Sequence, residues 1–426
     1  MLDRAAHAVT RRRAEGEAVG LMLIDIDRFR TVNTGLGPSA ADVLLREIAM
    51  RLDALVRQGD SVARMGDDEF GILIDGALGG AGLLASARRL EAALSEPFEI
   101  GGKELTVSVS IGVAGAVAGA RPDDLLRDAE VALAACKAPG RGGPVLFRPE
   151  MHTAAVERLD LERELRAAVD SSQFVLEYQP LVVLGDRRRP DQRRVALVEA
   201  LVRWRHPLRG LVPPDTFIPA AEETGLIMPI GRWVLREACR QAHAWQRSSA
   251  DHRALSISVN LSPRQLGHPS LLDDLQAALD DSGLGAGSLV VEITESAIIH
   301  DVAGAIATLH AIRALGVRVA LDDFGTGYSS LKFLTTLPID VVKIDRGFVA
   351  GLGRGTRDAA VVRPIIELAK VLGLETVGEG IETRAQADAL TDFGCDLAQG
   401  FYFSRPLGAE GLSALLSGDG RGSRRR

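Results

Sequence analysis

At 426 residues the chain is too long for one ordinary core, and at roughly 150 residues per domain it should hold two or three units, one of them large enough to be a barrel. Hydrophobic residues at 46%, charged residues at 25% and aromatic residues at 4% exclude a disordered chain outside the ends. A net charge of -7 argues against a polyanion surface as the main partner, so no nucleic acid polymer is expected, while local arginines and metals leave a small nucleotide open.

Residues 3–15 read as a helix, and LMLIDIDRF (21–29) as a buried strand ending in carboxylates. A helix at 40–57, a strand-turn-strand at 61–74, a helix at 80–95, a strand pair within 97–114 and a helix at 122–137 follow. This βαββαβ order with antiparallel character describes a small α+β domain, residues 1–148. KAPGRGGP (137–144) breaks structure, and Val156, Leu159, Leu161, Leu165 and Val169 at helical spacing predict a connecting helix over 149–170.

From there strands and helices alternate. Strands are expected at 174–184, 194–204, 255–262, 289–296, 317–325, 341–345, 375–382 and 397–404. Eight strands with mostly helical intervals predict an α/β (β/α)8 barrel over 171–413, with its site at the strand C-terminal ends. The interval 185–193 is too short for a helix, so the first unit should be irregular. The prolines at 213 and 214 read as a turn into a helix. Residues 414–426 read as a disordered basic tail.

Cys136, Cys239 and Cys395 lie singly without zinc spacing, which reads as reduced thiols and a cytoplasmic protein. No apolar run approaches the roughly 18 residues of a membrane span, so no membrane segment is expected in this chain.

Polar residues recur late in successive barrel strands: Glu199, Asn260, Glu292 with Glu295, Asp322 with Asp323, Lys343 and Glu379. Each costs desolvation unless it is paired or binds metal. An oxygen-rich set of this kind suits Mg2+ or Mn2+, and two such ions roughly 3.5–4 Å apart can activate a water and stabilise the leaving oxygen of a phosphoester.

The motifs EALVRW, SVNLS, EITES, DDFGTGYSSL, VVKID, GEGIE and AQGF stand in the order found in EAL domains, which residues 155–410 resemble. That resemblance implies a metal-dependent phosphodiesterase that opens cyclic di-GMP to linear pGpG. It implies Glu199, Asn260, Glu292, Asp322, Asp323 and Glu379 as ligands of two Mg2+ or Mn2+ ions. Lys343 would orient or deprotonate the water, and a neighbouring pair of ions would lower its pKa. Arg203 and Leu201 would contact substrate, Arg203 through a phosphate, and Gln399 would meet water or substrate. Glu295 would anchor the loop 322–330, which links the site to a homodimer contact.

The first 147 residues resemble a GGDEF domain, a fold of cyclases that make cyclic di-GMP from GTP, through LIDIDRFRTVN, LGPSAADVLL, RMGDDEF, SVSIGVA and AEVALAACKAPGR. The usual opening segment is not matched, and Asp67 replaces a motif glycine. A hairpin turn there would ask for φ > 0, which Asp tolerates. The added carboxylate would oppose a triphosphate by about 4 kcal/mol at 4 Å, so the cyclase should be inactive. By resemblance Asp25 and Glu69 would bind metal, Asp68 would lie beside the reacting hydroxyl, Asn33 and Asp42 would contact guanine, and Lys137 and Arg141 phosphate. GTP binding therefore stays open. Arg57 and Asp60 stand where the family has an inhibitory site, or form a plain surface turn. Two alternatives to a phosphodiesterase are a non-catalytic cyclic di-GMP receptor and a bifunctional enzyme.

Overall fold

The computed structural model describes residues 18–77, 79–116, 121–137, 143–185, 194–249, 252–299, 301–325, 331–352 and 356–417. The expected helix 3–15 and Arg141 lie outside these residues, as do 326–330 of the loop and 418–426 of the tail. The chain divides into two compact units, Met1–Asp160 and Leu161–Arg426.

The first unit carries β1 (Ala18–Ile26), β2 (Ser61–Arg64), β3 (Glu69–Ala77), β4 (Phe98–Ile100), β5 (Lys103–Leu105), β6 (Val109–Gly115) and β7 (Val145–Leu146). Its main sheet has the order β2-β3-β1-β6-β7, with β1 antiparallel to both β3 and β6. The central position of β1 explains why Leu21–Ile24 are all buried. Two helices, Phe29–Leu36 and Pro38–Leu55, stand where the sequence pattern predicts the end of a strand and one helix. Pro38, at the start of the second, has no backbone N–H to leave unsatisfied there. Where a strand pair is expected within 97–114 stand the hairpin β4-β5 and most of a third strand, β6. Gly112 is required where β6 meets the helix Pro122–Cys136, because a Cβ would lie 2.2 Å from the backbone nitrogen of Leu133.

The connecting helix is Glu150–Asp170. Its expected apolar face is only partly a core face: Leu165 and Ala168 are buried, but Val156 and Leu159 are 59% and 67% exposed.

The second unit is a closed sheet: β8 (Phe174–Val183), β9 (Val195–His206), β11 (Ser256–Asn260), β12 (Leu289–Thr294), β13 (Arg318–Phe324), β14 (Val341–Ile344), β15 (Glu375–Gly378) and β16 (Leu397–Ala398), with β10 (Gly210–Val212) as a hairpin on β9. Several strands are shorter than their apolar runs, most of all β15 and β16. The larger departure from a regular (β/α)8 barrel is direction. β8 runs antiparallel to both neighbours, β9 and β16, while the other seven barrel strands are parallel. Antiparallel neighbours can be joined without a crossover helix, which is why the interval 185–193 can be short. The last helix, Ala409–Leu416, runs three residues into the expected tail.

Candidate active site

Leu181, Leu197, Val290, Ala320, Val341, Val377 and Leu397 form one apolar cluster of barrel residues. Side chains two apart on a strand share a face. Two residues further along the forward strands stand Glu199, Glu292, Asp322, Lys343, Glu379 and Gln399. On the reversed strand the step goes backwards, to Gln179, which pairs in register with Glu199. Asn260, at the end of β11, pairs with Glu292. The barrel therefore stacks a polar layer on an apolar one, and the polar layer lies at the C-terminal ends of the forward strands, where barrel sites form.

Lys343 is the hub of this layer. Its Nζ lies 2.7 Å from Glu292 Oε2, 2.7 Å from Glu379 Oε1, 3.1 Å from Asp322 Oδ1 and 4.0 Å from Glu199 Oε2. Burial opposes its charge, but Asp322, Glu199, Glu292 and Glu379 together prevail and hold its pKa well above the ordinary lysine range. The lowering expected beside two metal ions concerns the ion-loaded site, whereas this rise comes from the protein's own carboxylates. Burial pushes Glu292 well above the usual carboxyl range and Glu379 to about 8, with Lys343 pulling both down. Burial, then the neighbouring Asp322 and Asp345, raises Asp323.

Glu199 is held by two amides: Asn260 Nδ2 donates to its Oε1 at 2.8 Å, and Gln399 Nε2 donates to its Oε2 at 2.6 Å. Asp323 adopts φ 53°, and its N–H donates to its neighbour's Oδ1 at 3.0 Å. One oxygen each from Asp322, Asp323 and Glu379 lie within 4.8 Å of one another. Glu292 Oε1 is buried and has no hydrogen-bond partner among the described residues. A close carboxylate triplet beside an orphaned carboxylate oxygen fits hard divalent cations.

Beside this layer opens a cavity of about 820 Å³, lined among others by Gln179, Glu199, Asp323, Glu379 and Gln399, within the range of small-ligand sites. Asp345, Arg346 and Phe401 also line it and were not foreseen from the sequence. Asp345 caps the helix Arg346–Val349 by accepting from Gly347 N–H, which sets that helix at the cavity wall. The Arg405 guanidinium lies 4.3 Å above the half-exposed Phe401 ring. Arg203 shares a face with Glu199, but its Nε donates to Glu177 Oε2 at 2.8 Å. Leu201 lines a separate, mostly apolar cavity of about 430 Å³ with Ile218 and Ile230. Glu295 opens the short helix Glu295–Ile299 and is buried; the loop it was expected to anchor falls partly outside the described residues.

In the first unit, Asp25 and Glu69 face each other across β1 and β3, Ile26 N–H donates to Asp68 O at 3.2 Å, and Lys137 pairs with Asp25 at 2.5 Å. Burial raises the Asp25 pKa against the pull of Lys137, and Asp68 and Glu69 add to the rise. Asn33 and Asp42 are exposed on the two helices that follow β1. The turn at Asp67 departs from expectation: none of residues 65–68 has positive φ. Instead Arg64 spans the turn, donating to Gly66 O at 2.9 Å and Asp67 O at 2.7 Å. Asp60 accepts from the N–H groups of Arg57 and Asp75 at 3.0 and 3.2 Å, so its carboxylate is occupied as a turn element.

Comparison with known proteins agrees with this geometry. The family described as diguanylate cyclase, GGDEF domain, matches residues 1–143. MucR of Pseudomonas aeruginosa, named a bifunctional diguanylate cyclase/cyclic di-GMP phosphodiesterase, is 40% identical over 416 residues, 97% of this chain and 59% of the relative. PdeR of Escherichia coli, named a cyclic di-GMP phosphodiesterase, is 36% identical over 410 residues, 96% of this chain and 60% of the relative. The chain thus spans about three fifths of the length of these two relatives. Among solved structures, the PaMucR phosphodiesterase in complex with c-di-GMP is 44% identical, covers 59% of this chain and 99% of that chain, and has a TM-score of 0.55. The EAL domain matches residues 162–406, more than half of the sequence, and the chain belongs to the EAL domain family.

Proposed function

We propose that the barrel hydrolyses cyclic di-GMP to linear 5'-pGpG with Mg2+ or Mn2+, and that the first unit is a degenerate GGDEF domain, inactive as a cyclase and open to GTP. The observation that carries this reading is the polar layer, in which Glu292 Oε1 lacks a partner among the described residues beside the Asp322, Asp323 and Glu379 oxygens. The names of MucR and PdeR and the c-di-GMP complex of PaMucR support the substrate. Domain limits of 1–148 and 171–413, a homodimer through the barrel and a cytoplasmic place belong to the same reading.

Glu199, Asn260, Glu292, Asp322, Asp323 and Glu379 would hold the ions. When bound, divalent cations supply Lewis acidity and neutralise charge at the phosphoester. The remaining roles fall to the chain's own residues. Asn260 and Gln399 fix the orientation of Glu199 by their two hydrogen bonds. Lys343 keeps a positive charge among the carboxylates and steadies Glu292, Asp322 and Glu379 in one arrangement. Arg203 binds a substrate phosphate by exchanging its Glu177 partner for it. Gln399 offers its Oε1, unpartnered among the described residues, to a water or to the substrate.

Purified protein should convert cyclic di-GMP to pGpG with Mg2+ or Mn2+, and Glu199→Ala should abolish turnover. No hydrolysis with either ion would sink the reading. The name of MucR also favours a bifunctional enzyme. Cyclic di-GMP made from GTP by the Glu199→Ala variant would establish it in place of the inactive cyclase.

A further inference from the structure

We propose that Gln179, on the strand running against the rest of the barrel, is a positioning residue that decides which end of the Gln399 amide is left unpaired beside the cavity. The inference deepens the phosphodiesterase reading and rests on it for its kinetic readout alone.

A primary amide has one donor end and one acceptor end of nearly equal shape, so its partners decide its orientation. The sequence of decisions starts at Ser404, whose backbone carbonyl can only accept. Gln179 Nε2 donates to that carbonyl at 3.1 Å. The Gln179 Oε1 is thereby turned toward Gln399, whose Nε2 donates to it at 3.0 Å. The same Gln399 nitrogen donates to Glu199 Oε2 at 2.6 Å, which uses both of its hydrogens.

What remains is Gln399 Oε1, buried and without a hydrogen-bond partner among the described residues, on a side chain that lines the cavity. An unpaired buried acceptor costs about 1–3 kcal/mol. Rotating the amide by a half turn would not relieve it. That rotation sets Gln399 Oε1 against Glu199 Oε2 and Gln179 Oε1, two acceptor-acceptor contacts, and leaves the amide donors unpaired instead. The fixed carbonyl of Ser404 therefore propagates through Gln179 to present an acceptor at the site. Such an acceptor suits a donor in the cavity, a water or a substrate N–H or O–H.

The reversed strand is what makes this possible. Gln179 stands directly opposite Glu199 in the β8-β9 register, and β16 on its other side brings Gln399. Both amides and the carboxylate are at most 8% exposed, so bulk water does not offer alternative partners.

Two substitutions test the relay. Gln179→Met keeps the volume and removes both bonds. Gln179→Glu keeps an acceptor toward Gln399, but replaces the donor to Ser404 by a second acceptor and adds a negative charge beside Glu199. In the wild type, the Gln399 side-chain N–H signals should exchange slowly with solvent. In Gln179→Met they should exchange at least about ten-fold faster, Mn2+ affinity by calorimetry without substrate should weaken about 10–100-fold, and kcat should fall by a similar factor with KM little changed. Gln179→Glu should recover most of the protection, because its carboxylate still accepts from Gln399 Nε2. Wild-type exchange in Gln179→Met, or exchange in Gln179→Glu as fast as in Gln179→Met, would overturn the proposal. Should Gln179→Met not fold, protection retained in Gln179→Glu supports the relay and its loss refutes it. A wild type without turnover would remove the phosphodiesterase reading and leave exchange and calorimetry to judge the relay.

Discussion

Lys343 and Glu292 form a 2.7 Å ion pair inside the barrel, and neither side chain is more than 2% exposed. A buried pair contributes little net stability, but removing one partner leaves an uncompensated charge. Here three carboxylates lie within 3.1 Å of the ammonium, so Lys343→Ala strands more than one. The variant should be about 3–5 kcal/mol less stable by urea unfolding in chelator. Added Mn2+ should restore part of the loss, because a cation that binds only the folded state stabilises it. Equal stability of the two proteins in chelator would show that the layer does not depend on this charge.

Asp323 sits in the left-handed region at φ 53°, a conformation in which a Cβ is unfavourable and glycine is at ease. Asp323→Gly and Asp323→Ala both delete the carboxylate, so their difference isolates the backbone. The glycine variant should be about 1 kcal/mol more stable than the alanine variant, while neither turns over substrate. Thermal unfolding of the pair checks the first statement. Activity in either would remove Asp323 from the site.

Asp67 is exposed, and Arg64 secures the turn through carbonyls rather than through a left-handed residue. Asp67→Gly therefore has no strain to relieve. It should leave the first unit's stability unchanged or lower it by less than about 1 kcal/mol, through the entropy of the unfolded chain. GTP affinity should rise instead, because a like charge near the triphosphate is gone. A stability gain would mean that the substitution carries backbone strain after all, and unchanged GTP affinity would refute the charge argument.

The carboxylates of the barrel were legible because each interrupts an apolar run: LVVEIT is buried at Leu289–Ile293 yet has Glu292 in it. A charge in such a strand needs a partner, and Lys343 on another strand is equally exceptional. Gln179 was not legible by that logic. It is neutral, it precedes a proline, and it joins the layer only because β8 runs backwards, a direction that alternation of side chains cannot report. The turn at Asp67 was misjudged for a related reason. Its geometry depends on Arg64, whose reach to two carbonyls is a tertiary fact. Val156 and Leu159 have helical spacing, but spacing does not say whether a face meets a core.

Glu222 gives a prediction with a definite sign. It lines the cavity of Leu201, Ile218 and Ile230, and burial raises its pKa from the ordinary 4.5, with Arg264 pulling the other way. The folded state then binds more protons than the unfolded one between 4.5 and the raised value, so unfolding releases protons in that window. Stability at this group falls as pH rises through the window and is lowest above it, where the half-buried carboxylate is charged. Glu222→Gln removes the charge and keeps the shape. It should melt higher than the wild type at about pH 8, and the gap should close toward about pH 4, where both side chains are neutral. Melting curves of the two proteins across this range decide it. A gap that does not change with pH would mean that packing, and not the half-buried charge, separates them.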